Sequence, residues 1–120
     1  MAWLLLAFVG FVCATMVLCQ LRERRAEKRG LRLLVDNLTE EQSRQYRADG
    51  YFDAIGSVTG RRYRINHGVS RNVIELGTDR TQAGRCFAPQ GQLVAGDCML
   101  GQKIAIENCE DEVLDKALPF

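Results

Sequence analysis

The first 19 residues, MAWLLLAFVGFVCATMVLC, contain no charged side chain, and regular alternation of polar with apolar positions begins only beyond them. A helix over the 18 residues Ala2 to Cys19 is about 27 Å long, just enough for a hydrocarbon core of about 30 Å. This predicts a single transmembrane anchor over 1–19, retained as a signal-anchor. A cleaved signal peptide fits less well, because the only positive charge ahead of the apolar run is the α-amine. Met16-Val17-Leu18-Cys19 also lacks the small residues that a cleavage site requires. Leu18 is too bulky for the position before a lipid-modified cysteine at Cys19.

Past the anchor the periodicity changes. Leu31, Leu34, Val35 and Leu38 recur at helical spacing, the pattern of a helix turning one face to a core. Gly30, just before them, marks a weak point in the chain. Thr39-Glu40-Glu41-Gln42 has the form of a capping box, so a helix is predicted from there to about Asp49, with Gly50 as its left-handed stop. Tyr51–Ser57 then reads as a strand and Val58-Thr59-Gly60 as a turn. Arg62–Asn66 alternates cleanly, with Tyr63 and Ile65 on one face and Arg62, Arg64 and Asn66 on the other. After a turn at His67-Gly68 comes a third strand, Asn72–Leu76. Thr78–Gly84 is polar and loop-like, and Arg85–Ala88 is a candidate fourth strand. These connections are too short for parallel crossovers, so the strands form an antiparallel meander. Asp97 is a suitable N-cap for a last helix through Met99, Leu100, Ile104 and Ile106. Asn108 offers a cap for a separate turn through Val113 and Leu114, and Pro119 ends the helix. The fold class is α+β: an anchor over 1–19, a basic juxtamembrane segment over 20–32, and a small domain over 33–120. That domain comprises a helix, three or four strands and a helix, and is large enough to fold alone.

Charge adds an orientation. The net charge of +1 conceals six bases (Arg22, Arg24, Arg25, Lys28, Arg29 and Arg32) against Glu23 and Glu27 in the collar, while the remainder has 10 bases and 13 acids. Basic residues within the first turns after a span stay on the cytoplasmic side. The N-terminus is therefore predicted outside and the domain in the cytoplasm, with Trp3 at the outer interface. The collar suits anionic lipid, each base near the surface contributing about 1 kcal/mol. A mildly acidic domain argues against general nucleic-acid binding. Within the span, Gly10-x-x-x-Ala14 has the spacing that lets two helices approach closely.

Leu38-Thr39-Glu40-Glu41-Gln42, Gly56-Ser57-Val58-Thr59-Gly60-Arg61-Arg62-Tyr63-Arg64-Ile65, Asn72-Val73, Cys86-Phe87-Ala88-Pro89, Gly96-Asp97 and Gln102-Lys103-Ile104-Ala105-Ile106-Glu107 follow one another in a distinctive order. Over about Leu33 to Ala117 this pattern resembles a family of small bacterial and phage proteins without an established activity. The resemblance implies a compact α+β domain and supplies no catalytic residues.

Candidate chemistry is sparse. Cys13 and Cys19 lie in the span, where thiols behave as small apolar groups. Cys86, Cys98 and Cys109 plus the single His67 number enough for zinc, but no two are close in sequence. On one continuous helix Cys98 and Cys109 would stand about 16 Å apart, too far to share a metal or a disulfide. Burial as structural side chains is the plainer reading, and no cofactor is expected. Cys86 as a reactive thiol needs a base and a lowered pKa, and His67 sits in a glycine-flanked turn. Arg61, Arg62, Tyr63 and Arg64 combine basic and aromatic character as single-stranded nucleic-acid surfaces do, but strand alternation sends Tyr63 and its flanking arginines to opposite faces. Glu107, Glu110, Asp111, Glu112 and Asp115 read as a solvated acidic tail. There is no phosphate loop, no G-x-S-x-G and no H-E-x-x-H. The expectation is a non-enzymatic, membrane-tethered binding module or accessory subunit with a protein partner. A thiol enzyme or redox sensor using Cys86, and nucleic-acid binding through Arg61, Arg62 and Arg64, are the alternatives.

Overall fold

The computed structural model describes residues 1–77, 82–91 and 93–120. Its first element, α1 (Ala2–Asp36), is a single helix that carries the apolar run, the basic collar and the first core-facing turns of the domain without interruption. The apolar part is long and apolar enough to cross a membrane, and none of it is buried against the domain. Gly30 is therefore not a weak point. It is buried inside the helix, and its lack of a side chain lets another helix approach, as described below. Leu31, Leu34, Val35 and Leu38 all turn inward to some degree, Leu34 completely, as their spacing predicts.

Helix α2 (Glu40–Asp49) begins on the expected capping box. The Thr39 hydroxyl accepts from the Gln42 N–H at 3.2 Å, and the Gln42 side-chain oxygen accepts from the Thr39 N–H at 3.1 Å. Gly50 ends the helix in the left-handed region at φ 75°.

The strands β1 (Tyr51–Ile55), β2 (Arg62–Asn66), β3 (Val73–Leu76), β4 (Gln82–Cys86) and β5 (Leu118–Pro119) form one antiparallel meander in chain order. Four of these differ from expectation. β1 stops at Ile55, because Gly56–Gly60 turns away to enclose an acidic side chain. β3 starts one residue later, because the Asn72 side chain is used in a buried amide pair. β4 starts at Gln82 and ends at Cys86, paired with β3 from Gln82 to Arg85; of the expected loop Thr78–Gly84, residues 78–81 lie outside the described residues. β5 is a fifth strand: Pro119 does not end a helix but pairs with Arg85, and Leu118 pairs with Cys86.

Helix α3 (Ala95–Lys116) starts two residues ahead of Asp97, with Val94 at the cap position. Asp97 thus sits in the first turn, where a negative charge still suits the helix dipole. The predicted break is real, but it falls at Cys109 (φ −140°, ψ 43°), one residue beyond Asn108. Asn108 does not cap; its amide donates back to the Ile104 carbonyl at 2.8 Å.

One sheet face is apolar and covered. Phe52, Ala54, Tyr63, Ile65 and Val73 alternate inward and are fully buried with Leu34 of α1 and Met99 of α3; Ile106 of α3 is nearly so. Each of the larger apolar side chains among them (Phe52, Ile65, Val73, Leu34, Met99, Ile106) contributes about 1.5–3 kcal/mol by leaving water. The β1 edge is closed by α2: the Asp53 N–H donates to the Gln45 side chain at 3.0 Å, and the Asp53 carbonyl accepts from the Gln42 amide at 2.9 Å. Pairing of edge backbone groups with glutamines removes the template that an open strand would present to another chain.

Candidate functional site

The most consequential geometry lies where α1 meets the rest of the domain. Ala26, Gly30 and Leu34 follow one another at single-turn spacing along α1, half-buried to fully buried. Gly96 faces them from the first turn of α3. A methyl group on Gly96 would collide with the backbone of Gly30 and Leu31, and one on Gly30 would strike Val94. The close crossing depends above all on Gly96, whose missing side chain leaves room for the α1 backbone. A helical glycine costs about 1 kcal/mol relative to alanine, and here backbone contact offsets it. The C-terminal turns of α1 are thereby part of the domain core, in one helix with the exposed apolar run.

The collar residues Arg22, Arg24, Arg25, Lys28, Arg29 and Arg32 are all exposed, and none is ion-paired among the described residues. Gly10 and Ala14 are exposed on the same continuous helix.

A second feature locks the far end of the domain. Glu110 is 1% exposed. Its Oε1 accepts from the Val58 N–H at 3.0 Å and the Thr59 N–H at 2.7 Å, and its Oε2 accepts from the Thr59 hydroxyl at 2.6 Å and the Tyr63 hydroxyl at 2.7 Å. Gly56 has no room for a side chain, because a Cβ there would meet the carboxylate. The helical bond that the kink at Cys109 removes is replaced by Ser57. The Ser57 N–H donates to the Ile106 carbonyl at 3.1 Å, and the Ser57 hydroxyl accepts from the Glu110 N–H at 3.2 Å. Burial pushes the Glu110 carboxyl upward, but these donors more than reverse that and hold it down to about 2. Burial also pushes the Tyr63 hydroxyl well above its ordinary range, helped by its bond to Glu110. Glu110 is thus no part of a solvated tail. Glu107 is also engaged, 2.6 Å from Lys103 and 3.1 Å from the Gln42 amide, whereas Asp111, Glu112 and Asp115 are exposed.

The arginines expected on the outer sheet face are committed to carboxylates. Arg64 lies 3.0 Å from Asp53 and stacks over Tyr51 at 4.0 Å, and Arg62 is 3.8 Å from Asp53. Arg61 is 2.6 Å from Glu75, which Arg85 also meets at 3.2 Å. Tyr63 is fully buried on the opposite face, so no joint stacking and phosphate surface forms at this strand.

The cysteines are unpaired and stand in different surroundings. Cys98 is buried, its thiol donating to the Val69 carbonyl at 3.4 Å, and burial raises its pKa. Cys86 is half-buried at the end of β4, and Cys109 is exposed at the kink, against the expectation that all three are buried. The His67 ring is stacked on Tyr46, with Nδ1 2.8 Å from its hydroxyl. Among the described residues no three His, Cys, Asp or Glu side chains gather as a metal site. A cleft of about 410 Å³ lies between Phe87-Ala88-Pro89 and the α3 residues Gly101, Ala105 and Val113, with Lys116 at its rim.

The sequence pattern anticipated neither the Glu110 lock nor the Gly30–Gly96 crossing. The available signals were the hydroxyl- and glycine-rich Gly56–Gly60 loop and two glycines inside helices. No family model, characterised protein or solved structure matches this chain.

Proposed function

We propose that this chain is a single-pass membrane protein whose domain is a non-enzymatic binding module, an accessory subunit held at the cytoplasmic face in a fixed attitude to the bilayer. The observation that carries the proposal is the continuity of α1: the helix that is apolar enough to span also places Leu34 in the domain core and Gly30 against Gly96. A module mounted in this way presents its surfaces at a set height and rotation, which suits assembly with neighbouring membrane proteins. The collar supports the cytoplasmic orientation through the retention of basic residues on that side.

Protease protection of a C-terminal tag tests the orientation. The tag should be cut only after the cytoplasm is opened. Cleavage in intact cells would put the domain on the other side, where pairing among Cys86, Cys98 and Cys109 becomes the relevant chemistry.

A further inference from the structure

The face of α1 turned away from the domain has a definite composition. At about 100° per residue, the domain-packed residues Gly30 and Leu34 lie nearly opposite Arg25, Lys28, Arg29 and Arg32, which share an arc of about 100°. The two acids of the collar, Glu23 and Glu27, fall on the domain side. Followed back into the apolar run, the same arc carries Ala7, Gly10 and Ala14 together with the larger Trp3, Phe11, Leu18 and Leu21, while Leu5, Val9, Val12 and Met16 point the other way. One unbroken helix therefore aligns a small-residue notch at Gly10 and Ala14, set between bulkier neighbours, with a cationic surface beyond the apolar run. All of these side chains are exposed, and the domain leaves this side of α1 open.

Anionic lipid reaches only part of this surface. The apolar run is barely as long as the hydrocarbon core, so tilting would shorten its reach below the bilayer thickness. With the axis near the membrane normal, Lys28 and Arg32 stand about 13 and 20 Å past Cys19. The headgroup layer is roughly 5–8 Å deep, and salt screens charge over about 8–10 Å. A second copy fits poorly too, since a parallel twin would bring the same bases face to face.

We infer that this face docks a different membrane protein, one whose transmembrane helix continues into the cytoplasm as an acidic segment. The notch at Gly10 and Ala14 admits close helix approach, and the acidic continuation pairs with Arg25, Lys28, Arg29 and Arg32. This inference rests on the membrane-spanning reading of α1.

The test uses the full chain, dye-labelled at a C-terminal tag, in phosphatidylcholine vesicles. The probes are synthetic helices of Leu and Ala, about 20 residues long, with either a Glu/Ala or a Gln/Ala extension. Energy transfer should show the acidic probe binding at least about tenfold more tightly than the neutral one, a preference that shrinks with salt. The preference should vanish in the Arg25→Glu, Lys28→Glu, Arg32→Glu variant. The corresponding glutamine variant, which guards against misfolding, should weaken it. Equal binding of the two probes overturns the proposal, as does self-association that the acidic probe fails to displace. Loss of the preference when phosphatidylserine is added assigns the collar to lipid and also overturns it. Protease accessibility of the tag in the same vesicles separates the two readings. An α1 that does not cross the bilayer sinks both, whereas a crossing α1 with no acidic preference sinks only this one.

Discussion

Replacing Glu110 with glutamine keeps the side chain's shape and removes its charge. The Gln oxygen can still accept from the Val58 and Thr59 N–H groups, and the two hydroxyls can rotate to accept from the new amide. What disappears is the charge assistance. The carboxyl is held at about 2 against a usual 4.5, a difference of about 2.5 units, or roughly 3 kcal/mol. The folded-state pKa is lowered, so this stabilisation is fully present above about pH 4.5 and is lost as the pH falls through that range toward 2. The Gln variant lacks the term at every pH. Wild type should therefore exceed Glu110→Gln by about 2–3 kcal/mol at pH 7, with the gap closing toward zero near pH 2. Urea titrations of the full chain in non-ionic detergent, at several pH values, measure this gap. Near-UV circular dichroism of the tyrosines is the suitable signal, because the sole tryptophan, Trp3, lies in the apolar run. Taking the difference between the two chains cancels the other carboxylates that titrate in acid. A gap that stays constant from pH 7 to pH 3, or no gap at pH 7, would refute the argument.

Other perturbations follow from the same geometry. Gly96→Ala forces a methyl into the Gly30 backbone and should cost about 2 kcal/mol or more, read as a lower thermal midpoint in micelles. Gly10→Ala, where there is open space, should leave that midpoint unchanged. Tyr63→Phe removes one donor from Glu110 while preserving the ring, and a loss of about 1–2 kcal/mol in urea titration is expected. With a maleimide at neutral pH, Cys109 should label quickly and Cys98 only after unfolding; mass mapping of the modified peptides checks this.

The parts of the fold that were legible rest on local chemistry. Thr39 and Gln42 sit three residues apart and cap one another wherever the chain goes. Tyr63 and Ile65 alternate with Arg62 and Arg64 because a strand has a period of two. The misreadings have distant causes. Gly30 resembles a helix breaker until Gly96, remote in sequence, is brought against it. The β1–β2 loop resembles an ordinary turn until its amides and hydroxyls close on Glu110, about 50 residues later. Glu110 in turn resembled surface charge, because neighbouring acids are exposed and no local pattern distinguishes the one that is buried. Pro119 is a helix stop by its own chemistry, but its position opposite Arg85 is a property of the finished sheet. The collar's composition was plain, whereas its sidedness needed the knowledge that one helix runs through it.

The continuity of that helix is the central claim, and amide hydrogen exchange over residues 20–36 of the full chain in lipid bicelles tests it most directly. Unbroken protection from Leu21 through Leu34, with no faster exchange around Gly30, is the predicted result. Rapid exchange from Lys28 to Leu31 would mean a flexible joint, and the domain would then be tethered to the membrane rather than built onto its anchor.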